Sequence, residues 1–273
     1  HLTGRYISIP VYPLSFDEYQ RHHRAQGTTD STDQLFSKYM MFGGMPGLFA
    51  TGQPDQDKAT EILTSIYESI VMKDVAGRYG IRDIATLEKL SRYLFSTSGN
   101  LFSVNKVANT LTSAGANASY ATVDNQISAL ERSFIVYSAQ QERMRGKELL
   151  RPQRKFYPVD NGFRNLATGF NGSDRGAQLE GIVFMELQRR GYDVTIGSLP
   201  DGEIDFIAKR GNNKQYIQVT LNMTEEQTRE RELDPLRRLG DAFPRTVLTL
   251  DWHSEGMTDE GIHITNVMDW LCS

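Results

Sequence analysis

Residues 202–221 read GEIDFIAKRGNNKQYIQVTL, two alternating runs separated by a turn sequence. A Gly-Asn pair tolerates the positive φ angles of a two-residue hairpin turn, so we place the turn at Gly211-Asn212. This register predicts one apolar face and one face that presents an acid beside an amide. The pairs on the second face are Asp205–Gln218, Ile207–Tyr216 and Lys209–Lys214.

Such a hairpin is typical of magnesium-dependent nucleases, in which carboxylates on neighbouring strands hold the cation and a lysine steadies the attacking water. A glutamate on the preceding helix, here Glu180 or Glu186, often completes the cluster. The nuclease pattern is Asp, then Glu or Gln, one residue, and Lys, whereas this chain has Asp205 followed by Gln218-Val219-Thr220. An amide brings no charge to a metal and the lysine is replaced. The sequence therefore predicts at most a magnesium site at Asp205 and Gln218, and a nuclease-like unit that does not cut.

Two alternatives stay open for this hairpin. Lys209 and Lys214 lie further along the same face and could replace the missing lysine, which would give an active nuclease with Asp205, Gln218 and Glu180 as catalytic residues. Alternatively, the acid and the amide simply cover a half-exposed hairpin.

Around the hairpin, the order helix-strand-strand-strand-helix-strand indicates an α/β unit with a central sheet. A Gly- and Asn-rich loop at residues 169–176 precedes this unit. The predicted helices are Gln178–Arg190, which Gly191 ends, and 224–239. The predicted strands lie at about 192–197, 203–209, 214–221 and 245–250.

The first hundred residues are mainly helical. Tyr6–Val11 alternates and predicts a strand. Ser15 and Glu18 form a capping box, which predicts a helix start. Further helices are expected at residues 57–76 and after Asp83.

Residues 101–168 have the order of a winged helix, with two helices followed by a basic hairpin. Ser103 and Ser119 cap the helices, and Phe134–Ser138 and Lys155–Val159 are the β-type runs. In this arrangement the second helix and the hairpin contact DNA. Protein contact and scaffolding are the alternatives. The predicted nucleic-acid-binding residues are Ser119, Tyr120, Thr122, Asn125, Gln126, Arg143, Arg145, Lys147, Arg151, Arg154 and Lys155.

Composition narrows the class of protein. The chain has 273 residues, 30 basic against 34 acidic side chains, and a net charge of −4, so a nucleic-acid surface must be local. The single cysteine, Cys272, predicts a reducing, cytoplasmic location, and no apolar run is long enough to span a membrane. Neither a phosphate-binding loop nor a zinc-protease motif is present.

Several short motifs follow one another along the chain. They are Gly4-Arg5-Tyr6, Pro13-Leu14-Ser15-Phe16, Phe42-Gly43-Gly44-Met45-Pro46, Ile70-Val71-Met72-Lys73-Asp74, Tyr157-Pro158-Val159-Asp160-Asn161-Gly162 with Arg164, Leu179-Glu180, Glu186-Leu187, Arg190-Gly191-Tyr192, and Glu203-Ile204-Asp205-Phe206. In this order they resemble the bacterial and archaeal AAA-type ATPases known as ATP-binding proteins, over essentially the whole chain. The resemblance implies a C-terminal domain with a restriction-endonuclease-like fold. It also implies that ATP binds to an N-terminal ATPase domain before His1, that this domain is a partner of the chain, and that Arg5 senses the nucleotide.

Together these observations predict a mixed α/β, multi-domain protein. The expected parts are the end of an ATPase domain with a helical lid-like region (1–100), a winged helix (101–168) and a nuclease-like α/β domain (169–273). The expected function is that of a DNA-binding accessory region without ATPase activity of its own. The alternatives are the active nuclease and a protein-interaction module that binds no nucleic acid.

Overall fold

The computed structural model describes residues 7, 9–50, 52, 54–116, 118–144, 153–170, 172 and 174–273. These residues form the mixed α/β structure that the sequence predicts. The helices are α1 (Phe16–Ala25), α2 (Thr32–Phe42), α3 (Gln56–Ser69), α4 (Ile84–Ser96), α5 (Val104–Ser113), α6 (Tyr120–Arg132), α7 (Asn161–Thr168), α8 (Arg175–Arg189), α9 (Glu226–Arg237) and α10 (Val267–Leu271). A π-helical segment, Ile70–Gly77, continues α3. Within the described part of the chain, no helix combines the length and the hydropathy needed to cross a bilayer.

The described strands belong to one sheet of nine strands in the order β1-β3-β2-β4-β5-β6-β7-β9-β8. The strands are β1 (Leu101–Phe102), β2 (Val136–Arg143), β3 (Arg154–Pro158), β4 (Asp193–Leu199), β5 (Gly202–Arg210), β6 (Asn213–Thr220), β7 (Arg245–Thr249), β8 (Gly256–Met257) and β9 (His263–Asn266). The pairs β2–β4, β6–β7 and β7–β9 are parallel, and the others are antiparallel. The sheet is therefore mixed.

Side-chain caps begin several helices where the sequence places them. The hydroxyl of Ser15 accepts the N–H of Glu18, and the Glu18 carboxylate accepts the N–H of Ser15. Asp83, Ser103 and Ser119 each accept the N–H of the residue three positions later. These bonds satisfy N–H groups that have no partner within the helix, so the predicted starts of α1, α4, α5 and α6 are confirmed.

The predicted strand Tyr6–Val11 is wrong over its described part. Residues 9–12 are not in a strand, and Ile9 and Val11 are exposed. A strand needs a neighbour to take up its backbone hydrogen bonds, and none of the described sheet pairings includes these residues.

The register of the β5–β6 hairpin is confirmed, with Ile207 opposite Tyr216 and Lys209 opposite Lys214. The hairpin does not leave one face open, however. Phe206 packs into the cluster that includes Leu187 of α8, whereas Ile207 packs with Leu233 of α9. Helices α8 and α9 thus cover opposite faces of the hairpin, and both faces are buried.

The sheet also connects the parts of the chain that the sequence separates. Residues Gln141–Arg143 of β2 pair in parallel with Ile196–Ser198 of β4 across the predicted boundary at residue 168. One hydrophobic cluster contains side chains from Phe16 to Leu271. The hairpin strand β3 consequently lies close to the C-terminal α/β unit, which decides the composition of the candidate site.

Candidate functional site

A buried ion cluster lies between β3, α8 and β5. The Nζ atom of Lys155 is 2.6 Å from Oε1 of Glu203 and 3.2 Å from Oε1 of Glu180. Only 3% of Lys155 is exposed. Since buried charges are costly unless they are paired, these carboxylates are what allow an ammonium at this position.

Two neighbours hold the carboxylate of Glu180 in place. The hydroxyl of Tyr157, two residues after Lys155 on β3, donates to Oε1 of Glu180 at 2.7 Å. On the other side lies Gly99, where an added Cβ would be 3.2 Å from Oε2 of Glu180. The ring of Tyr157 stacks on Phe184, one turn after Glu180 on α8, with ring centroids 4.2 Å apart. Packing and hydrogen bonding therefore fix Glu180 relative to β3.

Asp205 joins this cluster because β5 contains an irregularity. The pairing of β4 with β5 steps from Thr195–Ile207 to Gly197–Ile204, which puts one residue of β4 opposite both Asp205 and Phe206. Such a bulge re-aims side chains. The carboxylate of Asp205 accepts the N–H of Val219 at 2.8 Å and lies close enough to Glu180 and Lys155 to feel their charges.

The Gln218 side chain is not part of the cluster formed by Lys155, Glu180, Glu203 and Asp205. Its amide nitrogen donates to Oε2 of Glu232 on α9 at 3.0 Å, and its amide oxygen accepts the N–H of Asp205 at 3.2 Å. Both polar atoms of the Gln218 side chain are therefore hydrogen-bonded within the protein. Glu186, the alternative to Glu180, instead pairs with Arg189 and Arg190.

Burial and the charges of neighbouring groups shift the pKa values of Lys155, Glu180 and Asp205. Burial raises the pKa of Asp205 well above its ordinary value, and the charge of Glu180 raises it further. Burial also raises the pKa of Glu180, although Lys155 opposes this shift. Burial alone would lower the pKa of Lys155, but the carboxylates of Glu180, Asp205 and Glu203 outweigh it and raise that pKa. Lys155 is therefore cationic at neutral pH, and Asp205 keeps its proton to a higher pH than an exposed aspartate does.

The expected magnesium ion does not fit this arrangement. A hard dication needs several free oxygen ligands. Here an ammonium already occupies the space between two of the carboxylates, and the Gln218 oxygen is bonded to the backbone. Among the described residues, no group of three or more His, Cys, Asp or Glu side chains is placed to hold a metal ion.

Two residues of the predicted DNA surface require correction. The Lys155 ammonium pairs with carboxylates inside the ion cluster and does not lie on the surface. Gln126 on α6 is only 3% exposed because it faces the core. Arg154 lies within 3.5 Å of Asp124 and 3.6 Å of Glu131, so intramolecular carboxylates partly offset its charge. Four predicted residues fall outside the described residues, namely Arg5, Arg145, Lys147 and Arg151.

Of the remaining predicted residues, Tyr120 lines an open groove of about 700 Å³ beside α5 and α6, which we call the α5–α6 groove. Its lining residues are Phe102, Ser103, Val104, Asn105, Tyr120, Gln153 and Arg154. Tyr120, in the first turn of α6, is 52% exposed, and Ser119 before it is exposed as well. Thr122 is half-buried and bonded to Ser119, while Asn125 and Arg143 are exposed.

A second buried centre was not predicted from the sequence as a site. The carboxylate of Asp160 accepts the N–H groups of Gly44 at 2.7 Å and Gly162 at 2.8 Å. An added Cβ at Gly43 would overlap this carboxylate. Two motifs that are far apart in the chain, Phe42–Pro46 and Tyr157–Gly162, therefore meet at one aspartate. Their pairing is a tertiary contact, although each motif was visible in the sequence.

Asp160 gives a testable pH dependence. Burial raises its pKa from 3.8 to about 6, against the two backbone N–H groups that favour the ionised form. The unfolded chain therefore ionises at lower pH than the folded protein, so the stability contributed by the protonated group is lost as pH rises through about 6. Relative to Asp160→Asn, the free energy of unfolding of the wild type is expected to fall by about 2 kcal/mol between pH 4 and 7. Urea denaturation of both proteins at each pH measures this difference, and a constant difference would contradict the prediction.

The known proteins that this chain resembles have descriptions that name no activity. A family model described as a domain of unknown function (DUF8612) matches residues 33–174, which include Lys155 and Asp160 but end before Glu180. An uncharacterized protein of Haemophilus influenzae is 36% identical over 270 residues, covering 99% of this chain and 66% of the relative. An uncharacterized protein of Methanocaldococcus jannaschii is 27% identical over 243 residues, covering 85% of this chain and 53% of the relative. This chain thus spans only part of either relative.

A search of solved structures matches the crystal structure of protein VC1899 from Vibrio cholerae. The alignment covers 94% of this chain and 76% of that chain, with 13% sequence identity and a TM-score of 0.25.

Proposed function

Because this chain belongs to the DUF8612 family, whose description names no activity, we propose a function from the geometry: the chain binds DNA through the α5–α6 groove. In this proposal the C-terminal α/β unit supports the binding region and does not cut. The main observation behind the proposal is the groove, which brings the first turns of two helices and the start of a hairpin strand to one open surface.

The order of elements supports the proposal. Helices α4, α5 and α6 are followed by strands β2 and β3, and the short β1 between α4 and α5 pairs with β3. This order is the one expected of a winged helix, and it supports the proposal. In DNA-binding proteins of the helix-turn-helix class, the second helix of the pair enters the major groove with its N-terminal residues toward the bases. The corresponding helix here is α6, and its first turn is exposed at Ser119 and Tyr120.

The side chains of the groove are suited to a polyanion with polar base edges. Asn105 and Gln153 are exposed amides, and amides can bond to adenine or to phosphate. Tyr120 offers an aromatic face and a hydroxyl group. Lys106 on α5 and Arg143 at the end of β2 are exposed cations of the same region of the chain. Because the whole chain carries a net charge of −4, this local supply of donors is what would direct DNA here.

A second part of the proposal is a neighbouring ATPase domain. Both relatives are longer than this chain, and the motifs described above resemble those of AAA-type ATPases. We therefore place the DNA-binding region beside an ATPase domain that would bind ATP and act as its protein partner. Nuclease activity of Asp205, Gln218 and Glu180 is left out of the proposal, because Lys155 and Glu232 already bond to residues of that set.

Fluorescence anisotropy of a labelled DNA duplex, titrated with this chain without divalent metal, tests the proposal. Binding is expected at low salt and should weaken linearly in a log–log plot against salt, with a slope that counts the phosphate contacts. Asn105→Asp combined with Gln153→Glu adds two negative charges to the groove without changing side-chain size. This double variant is expected to weaken binding about tenfold or more.

A matched control makes the same chemical change at exposed amides outside the groove, Gln26→Glu with Gln56→Glu. It should bind almost as the wild type does. Equal weakening in the two double variants would mean that only net charge matters. No binding of the wild type at low salt would overturn the proposal and favour a protein-docking role for the groove.

A further inference from the structure

Among the described residues, the ion cluster has one cation and three acids, which come from three elements. Lys155 belongs to β3, Glu180 to α8, and Glu203 and Asp205 to β5. The α/β unit that supplies the acids supplies no cation to the cluster. The lysine instead comes from the hairpin strand that precedes this unit, and it is the more deeply buried partner in both of its ion pairs.

The lysines that the sequence suggested for this role are engaged elsewhere. Lys209 is 2.6 Å from Glu142, and Lys214 is 3.5 Å from Asp241. Thr220, which stands where the nuclease pattern has lysine, donates its hydroxyl to the carbonyl of Asn222 at 3.2 Å. Lys155 is thus the ammonium that reaches the Glu180 and Glu203 carboxylates, although nothing near it in the sequence indicates this.

We infer that the Lys155 ammonium is the resident cation of this carboxylate cluster and takes the position that a divalent metal would otherwise fill. The inference rests on the two contacts of Nζ, on the burial of Lys155, and on the disagreement between the donor set and a metal site. It is independent of DNA binding.

The charges of the cluster explain why one lysine is sufficient to balance its carboxylates without a metal ion. Three carboxylates that approach one another repel, and burial strengthens this repulsion. One ammonium donates up to three hydrogen bonds and neutralises one charge. Asp205 keeps its proton more readily than an exposed aspartate, which reduces a second charge, and Glu203 is partly exposed to water. The cluster is therefore close to balanced without any ion from solution.

Without the ammonium, the three carboxylates should be able to close around a metal ion, an arrangement that they do not have in the wild type. In Lys155→Met, the side chain keeps its unbranched apolar part and loses the ammonium group, so Glu180, Glu203 and Asp205 are left without a cation. Titration of the full chain with Mn²⁺, followed by the loss of the free-ion electron paramagnetic resonance signal, is the direct measurement. We expect no saturable site in the wild type and one site in Lys155→Met, with affinity at least tenfold higher than any wild-type binding.

Two variants test whether the new Mn²⁺ site lies in the ion cluster. Lys155→Arg keeps a cation and should bind no Mn²⁺, whereas Asp205→Asn in the Lys155→Met background should lose the new site. Saturable Mn²⁺ binding by the wild type that Asp205→Asn removes would overturn the inference. A folded Lys155→Met that binds no Mn²⁺ would overturn it as well.

A measurement on the wild type covers the case in which Lys155→Met does not fold. Thermal unfolding of the full chain is compared in the presence of a chelator, Mg²⁺ or Mn²⁺. If Lys155 is the resident cation, the melting temperature should be the same in all three conditions. A stabilising shift by either metal that disappears in Asp205→Asn would contradict the inference, since a ligand stabilises the state that binds it.

Discussion

Gly43→Ala is expected to lower the free energy of unfolding by about 3–5 kcal/mol. Gly43 ends α2 with φ of 80° and ψ of −166°, a backbone region that is essentially restricted to glycine and costs another residue about 1–3 kcal/mol. The added Cβ would also overlap the carboxylate of Asp160. To relieve the overlap, Asp160 must leave the N–H groups of Gly44 and Gly162, which are then buried without an acceptor.

Gly27→Ala is the matched control. Gly27 has φ of 79°, but nothing lies within 4 Å of a Cβ added there. This variant therefore carries the conformational cost alone, about 1 kcal/mol. Urea denaturation followed by circular dichroism measures both variants. Similar losses at Gly27 and Gly43 would show that the Asp160 contact does not restrict position 43.

Lys155→Met is expected to lower the free energy of unfolding by about 3–5 kcal/mol at pH 8, because it leaves buried carboxylates without their counter-charge. The loss should be smaller at pH 5.5. The pKa values of Glu180 and Asp205 are already raised in the folded protein, and removal of the ammonium raises them further. The folded variant then binds more protons than the unfolded chain, so its stability decreases as pH rises.

Lys209→Met is the control for a lysine at the surface. Lys209 and its partner Glu142 are each about one third exposed, at 37% and 33%. Loss of such a pair is expected to cost less than about 1 kcal/mol and to depend little on pH. Chemical denaturation of both variants at the two pH values gives the comparison. An equal cost for Lys155→Met and Lys209→Met would argue that the buried cluster contributes no more than a surface ion pair.

The proposed DNA-binding region and the ion cluster share strand β3. Arg154 lies at the α5–α6 groove, and the next residue, Lys155, enters the cluster. Alternating side chains of a strand point to opposite faces, which is why adjacent basic residues have different environments. The run of basic residues that the sequence presents as one patch is therefore divided between two sites.

Rules that act over a few residues were sufficient for much of the fold. The Gly211-Asn212 turn predicted the register of β5 and β6, and the caps at Ser15, Asp83, Ser103 and Ser119 predicted four helix starts. Turn and cap geometry depend on neighbours within about four residues along the chain. The same rules failed at Tyr6–Val11, since a strand also needs a partner that alternation alone does not supply.

The sequence by itself thus determined the order of elements, the hairpin register and the presence of Asp205 and Glu180 near one another. Only the tertiary structure decided that Gln218 turns to Glu232 and that Lys155 supplies the cation. The contact of Lys155 with Glu203 spans 48 positions and follows the parallel pairing of β2 with β4, whereas the bond of Gln218 to Glu232 spans 14. Long-range pairing has no local signature, because the free energy that fixes it comes from burial and charge balance in the assembled sheet.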